Sequence, residues 1–327
     1  MRMLTLGRTG LAASAVGLGL AAIGRPGYIT IGRDRDLGPD RSVEVMRRRA
    51  CELLDAAYAS GVRYFDAARS YGLAEEFLAG WLEGRGFAPG HVTVGSKWGY
   101  RYTADWQVGA SVNEIKDHSL ENLRRQISES RGLLGERLCL YQIHSATLES
   151  GVLEDAGVLA ELSSLAQAGL AIGLTVSGPR QAEVIRRALE VRVDGAMPFA
   201  CVQATWNLLE PSAGPALAEA GAAGWGVIVK EAVANGRLSP GSPAPMPARL
   251  ETACRRLDRG ADAIAIAAAL AQPWADVVLS GAVTSEQLAA NLTALDVPIT
   301  PDDLAEFGDL AEPPAAYWER RANMAWS

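Results

Sequence analysis

The chain has 327 residues, 49% of them hydrophobic, and carries 31 Lys and Arg against 38 Asp and Glu for a formal net charge of −7. Its basic residues are scattered, so nucleic acid is not an expected partner, and the short runs Arg47 to Arg49 and Arg320–Arg321 read as solvated helix faces without function. Cys51, Cys139, Cys201 and Cys254 form no CxxC pair, no signal-like N-terminus is present, and no apolar run approaches the roughly 20 residues needed to span a bilayer. These features predict a soluble, cytoplasmic protein of one domain, residues 1–327, with neither a disulfide framework nor a metal site.

Along the chain, Met3–Leu18 reads as a β-hairpin leading into a first barrel strand and suited to plug the lower end of the fold. Short apolar β-branched runs then alternate with helical stretches. The predicted strands are Val16–Gly19, Tyr64–Ala67, Val92–Ser96, Leu138–Ile143, Ile172–Val176, Cys201–Ala204, Gly226–Val229 and Val277–Ser280. The predicted helices are Arg47–Ser60, Ala74–Glu83, Val112–Leu133, Leu153–Ala168, Gln181–Leu189, Ala213–Ala220, Ala263–Ala271 and Ser285–Leu295. Eight such units close most naturally into an α/β fold of the (β/α)8 TIM-barrel type, with the hairpin capping its bottom. An open doubly wound sheet is the alternative, but no GxGxxG turn opens the first helix. The long Gly-, Pro- and Arg-rich connection Arg25–Arg41 predicts one wall of a substrate pocket, and a second proline-rich stretch, Ser239–Pro247, follows strand seven.

Active sites of this fold sit at the C-terminal ends of the strands. Asp66 closes strand two and is followed by Tyr71; Lys97 closes strand three; His144 closes strand four. A carboxylate, a phenol, an ammonium and an imidazole converging there suit reversible proton transfer to a carbonyl oxygen. An unperturbed tyrosine, with a pKa of about 10, is a weak acid near neutrality, and the Lys97 cation is expected to lower it. Asp66 would hold Lys97 charged, His144 would hydrogen-bond the substrate oxygen, and Tyr71 would be the acid and base. Singly, an Asp or Tyr at a strand end is more often a cap or a rim contact and a lone histidine more often a satisfied interior group, and it is the joint pattern that points to chemistry. Of the three histidines, only His144 closes a strand, which argues against a His-rich metal barrel.

Taken together, Leu6-Gly-Arg-Thr-Gly-Leu11, Gly61-Val-Arg-Tyr-Phe-Asp-Ala-Ala-Arg-Ser-Tyr-Gly72, Ser96-Lys97, Gln142-Ile-His144, Gln203 with Trp206-Asn207, and Gly281 through Asn291 resemble the aldo-keto reductases over nearly the whole chain. The resemblance implies an NAD(P)H-dependent carbonyl reductase without flavin or metal, whose catalytic tetrad is Asp66, Tyr71, Lys97 and His144. It further implies that the nicotinamide amide lies against Ser177, Gly178 and Gln203 and the adenine against Asn291, and Gly19 at the end of strand one joins this cofactor set.

The sequence departs from the family in two places. After strand seven, where the family commonly has an aromatic that stacks on nicotinamide, this chain has Lys230-Glu231. Lys230 is then expected to lay its stem along the ring or to pair with Glu231 or the pyrophosphate, with Trp98 or Trp206 supplying an aromatic face. In the last loop, Gly281, Val283 and Gln287 stand where the family often has Lys or Arg, so the clamp for the 2′-phosphate of NADP is depleted. Backbone amides of the Ser285 helix, or Arg237, would then have to serve. NADP(H) is the expected cofactor and NAD(H) the alternative. Trp98, Tyr100 and Trp206 are candidate substrate contacts, and the tail Tyr317–Trp326 would fold over the pocket or pack on the barrel side. The expected ligand is a small carbonyl or alcohol. Competing readings are a regulatory or partner-binding subunit that keeps the cofactor but turns over slowly, and a barrel isomerase or hydrolase sharing only the architecture.

Overall fold

The computed structural model describes all 327 residues. Eight parallel strands close into a barrel: β3 (Val16–Gly19), β4 (Tyr64–Asp66), β5 (Thr93–Trp98), β8 (Leu138–Ala146), β9 (Ala171–Val176), β10 (Cys201–Thr205), β11 (Gly226–Lys230) and β12 (Val277–Ser280), with β12 pairing back onto β3. All eight predicted strands are present, because β-branched runs buried on both faces leave little ambiguity. Helices cover the outside: α2 (Val43–Ala59), α3 (Ala74–Gly84), α4 (Leu120–Leu134), α5 (Ala156–Gln167), α6 (Gln181–Glu190), α7 (Gly214–Ala222), α9 (Ala261–Leu270) and α10 (Ser285–Leu292). A short helix, α1 (Arg33–Leu37), lies in the connection after β3, while α8 (Ala248–Leu257), α11 (Pro301–Phe307) and α12 (Pro314–Ala322) add to the barrel's flank. No helix is long and apolar enough to cross a membrane.

One predicted helix is wrong at its start. Residues 112–119 are not helical; Glu114–Lys116 form strand β7, which pairs antiparallel with β6 (Tyr100–Tyr102) as a hairpin over the mouth. Helix α4 begins only where the Ser119 side chain accepts the Asn122 N–H at 3.2 Å, a conventional N-cap.

The lower end is sealed by the hairpin β1 (Met3–Thr5) and β2 (Ala12–Ser14). Between these strands Leu6 is fully buried and packs with Tyr64, Leu140, Cys201, Ile228 and Val277 at the bottom of the barrel. Gly7 lets this turn come close, since a Cβ there, at φ +48°, would lie 2.1 Å from the Gly226 nitrogen. Truncation of Leu6 leaves a cavity that the closed strands cannot collapse to fill. Leu6→Ala is therefore expected to lower the unfolding free energy by about 3 kcal/mol in urea titrations; a loss below about 1 kcal/mol would show that the hairpin is not part of the core.

Candidate active site

The upper end of the barrel opens on a cavity of about 290 Å³, whose lining includes Gly19, Asp66, Tyr71, Tyr100, His144 and Ser177. At its floor Asp66, the last residue of β4, is buried and accepts three hydrogen bonds or ion pairs. Lys97 Nζ contacts Oδ2, while Tyr64 Oη donates to Oδ1 at 3.2 Å and Gln203 Nε2 at 3.0 Å. Lys97 also donates to the Ala67 carbonyl at 2.8 Å, so its ammonium is fixed from two sides. Burial lowers the Lys97 pKa even against the pull of Asp66.

Tyr71 reaches the cavity from the turn after β4. Gly72 closes that turn at φ +62°, where a Cβ would lie 2.6 Å from the Gly24 carbonyl oxygen. Lys97 Nζ lies 4.8 Å and the Arg25 guanidinium 5.2 Å from the Tyr71 ring centroid. The expectation that Lys97 lowers the tyrosine pKa is overturned. Burial and then the Asp66 charge raise it well above 10.0, and Arg25 only partly opposes them. The ammonium is already engaged by the carboxylate, so the phenol keeps its proton.

His144 owes its position to an irregularity in β8. The register with β9 shifts between Ile143 and Ala146, and Ser145 adopts φ +53°. His118 Nε2 donates to the His144 carbonyl at 2.9 Å and the Ser145 N–H donates to Thr175 Oγ1 at 2.7 Å, which holds the distortion. Burial pushes the His118 pKa down to about 4, so this donor is a neutral imidazole. The His144 ring stands 3.4 Å from Tyr71 Oη through Nε2 and 3.3 Å from Ser70 Oγ through Nδ1. Its pKa is held well below the ordinary histidine value by burial, then by Lys97, Arg25 and Lys230. A neutral imidazole and a protonated phenol therefore share the cavity floor.

Of the predicted cofactor residues, Gly19, Ser177, Gln203, Lys230, Glu231 and Gly281 line this cavity, although Gln203 turns its amide to Asp66. Val283, Gln287 and Asn291 line a second groove of about 350 Å³, and Gly281 borders both. Gly178 sits in the turn after β9 at φ +93° and lines neither. Three expectations are corrected. Trp98 is fully buried and packs edge-on against His118, away from the cavity. Trp206 packs against Trp274 on the outside of the barrel. Arg237 pairs with Glu312 and lies over the Tyr317 ring, so it lines neither space.

Several wall residues escaped the sequence reading. Arg25, almost fully buried, bonds Glu114 at 2.9 Å and the Ser70 carbonyl at 3.0 Å, and lies between the rings of Tyr28, Tyr71 and Trp326. The connection Arg25–Arg41 thus does supply a pocket wall, through Arg25, Tyr28, Ile29 and Thr30. The sequence alone places Arg321 in a solvated pair with Arg320. Only Arg320 is exposed; Arg321 clasps Glu231 with Nε at 3.0 Å from both carboxylate oxygens and lines the cavity. Lys230 donates to Thr205 Oγ1 at 2.7 Å and stands 3.9 Å from Glu231.

Burial opposes ionisation of Glu231, but Arg321 and Lys230 overcome it and lower its pKa from 4.5 to about 2. The folded state thus gains stability from this carboxylate above its unfolded value, and loses it as pH falls from about 4.5 towards 2. Urea unfolding at successive pH values is expected to show an acid loss about 3 kcal/mol smaller in Glu231→Gln than in the native chain. Parallel acid limbs would contradict this assignment.

Comparison with known proteins agrees with this geometry. The sequence model of the aldo/keto reductase family matches residues 30–312. The chain is 27% identical over 215 residues to pyridoxal 4-dehydrogenase of Microbacterium luteolum, a match covering 57% of each protein, so it spans little more than half of that relative's length. Among solved structures it resembles a holo-form aldo-keto reductase from Bacillus halodurans, with a TM-score of 0.70 and 23% identity over 96% of this chain and 97% of the other. It also resembles a putative aldo-keto reductase from Pseudomonas aeruginosa, with a TM-score of 0.65 and 26% identity over 90% and 94% of the two chains.

Proposed function

The chain belongs to the aldo/keto reductase family, and from that premise we propose that it interconverts an aldehyde or ketone and its alcohol with a nicotinamide dinucleotide. The observation that carries the reading is the pairing of a protonated Tyr71 with a neutral His144, 3.4 Å apart and opening on one cavity. A carbonyl oxygen within reach of both meets one hydroxyl donor and one orienting partner.

The cavity and the outer groove meet at Thr30, Val233 and Gly281, forming a trough suited to an elongated dinucleotide. A Cβ added at Gly281 would meet nothing within 4 Å, so the junction is open. Gly19, Ser177 and Gln203 would hold the nicotinamide end, and Val283, Gln287 and Asn291 the adenosine end. The bound nicotinamide supplies or accepts hydride at the carbonyl carbon.

In reduction, Tyr71 gives its proton to the carbonyl oxygen. Arg25, whose guanidinium lies 5.2 Å from the ring centroid and opposes the rise of the Tyr71 pKa, stabilises the resulting phenolate. In oxidation the phenolate takes the alcohol proton. His144, kept neutral, orients the oxygen without competing for that proton. Tyr28, Tyr100 and Trp326 narrow the cavity around a small planar substrate, consistent with a relative named for pyridoxal.

Tyr71→Phe removes the proton donor and little else. It is expected to lower kcat/KM for aldehyde reduction by roughly 10²- to 10⁴-fold, with nicotinamide affinity unchanged by titration. A loss below about tenfold would rule Tyr71 out as the acid. Because Tyr71 stays protonated and His144 neutral, kcat/KM for reduction is expected to be flat from about pH 6 to 9. An acid limb with a midpoint near 6.5 would show instead that His144 titrates as an ordinary histidine.

A further inference from the structure

The outer groove has a chemistry of its own at the first turn of α10. Gln287 is fixed there from both ends of its amide: Oε1 accepts the Val283 N–H at 2.9 Å, and Nε2 donates to Asp36 Oδ2 at 2.6 Å. Asp36 arrives from α1, 251 positions earlier in the chain, and its side chain remains 23% exposed to the groove. Glu286 and Asp262 line the same space, so three carboxylates face it.

Of the two arginines on this groove, Arg33 is committed elsewhere and Arg35 faces Asp36 itself. Arg33, fully buried, spends its guanidinium on the carbonyls of Ala22, Pro26 and Ser327, each at 2.7 Å, and on that of Arg25. Arg35 also borders the groove, largely exposed, with Nε 3.8 Å from Asp36 Oδ1. Even the helix end is partly used, since Thr284 Oγ1 accepts the Gln287 N–H and Gln287 Oε1 accepts that of Val283.

We propose that Asp36, positioned by Gln287, selects NAD(H) over NADP(H) by accepting hydrogen bonds from the adenosine ribose hydroxyls and repelling a 2′-phosphate. The proposal rests on the reading above, in which the nicotinamide end lies beside Tyr71 and the adenosine end therefore reaches this groove. An ionised carboxylate only accepts, and a ribose diol offers two O–H donors to it. A 2′-phosphate is close to doubly charged at neutral pH and offers no donor in that form. It requires Arg or Lys in direct contact, and here it would meet Asp36, Glu286 and Asp262, with one exposed cation, Arg35, that already faces Asp36. The same acidic choice on a ribose hydroxyl distinguishes NAD from NADP sites on other folds.

Calorimetric titration of the full chain with NADH and NADPH tests this without turnover. The native protein is expected to bind NADH roughly 30-fold or more tightly than NADPH. Asp36→Asn keeps the shape and the acceptor for Gln287 but removes the charge, and is expected to weaken NADH and tighten NADPH. Gln287→Arg is expected to tighten NADPH as well. Equal or tighter NADPH binding by the native chain overturns the proposal, as does an Asp36→Asn change that weakens both alike, the mark of a merely structural residue. Failure of the native chain to bind either nucleotide would overturn the nicotinamide reading itself, a different outcome.

Discussion

Burying a lysine and an aspartate together costs several kcal/mol of hydration for each ion, which their contact recovers only when geometry and further hydrogen bonds are right. At the centre of this barrel the Lys97–Asp66 pair meets that condition. Tyr64, Gln203 and the Ala67 carbonyl complete its shell, so that three strands or their ends meet at the pair. The pair needs β4, β5 and β10 in register, and Leu6 and the hairpin close the water-accessible end beneath it. Burial, and after it the Asp66 charge, leaves Tyr71 with a proton to give, and the same burial together with the nearby cations keeps His144 uncharged.

Charges around the mouth are settled in the same manner. Arg25 is answered by Glu114 and three aromatic faces, Glu231 by Arg321 and Lys230, and Arg33 by backbone carbonyls. Several of these contacts join distant parts of the chain, so the cavity walls and the C-terminal helix α12 are secured by ion pairs rather than by apolar packing alone. Where most cations are already satisfied, a substrate or cofactor is discriminated by the acceptors that remain, and Asp36 is one of them.

The barrel and its four central residues were legible in the sequence because both rest on local pattern. Buried strands are largely apolar runs, and Asp66, Lys97 and His144 each fall at or near the end of one. What escaped depends on partners far away in sequence. Arg321 resembles any charged residue on a helix until Glu231, 90 positions earlier, is placed beside it. Asp36 looks like loop polarity until Gln287 reaches it. Glu114–Lys116 holds a single apolar residue, Ile115, too few to show a strand period, so the hairpin formed with Tyr100–Tyr102 was hidden within a stretch of helical composition. Trp98 and Trp206 misled for the opposite reason: aromatic residues near strand ends resemble pocket walls, and only packing shows which way they face.

The ionisation of Tyr71 tests the central claim most directly, since lysine-lowered and burial-raised phenols differ in sign. In the chain labelled with carbon-13 at the tyrosine ring carbon bearing oxygen, with the signal assigned by its loss in Tyr71→Phe, the account predicts that Tyr71 remains a phenol beyond pH 10. A Tyr71 signal that shifts to phenolate near neutral pH would contradict it, and would mean that the Lys97 charge is free to act on the ring rather than closed upon Asp66.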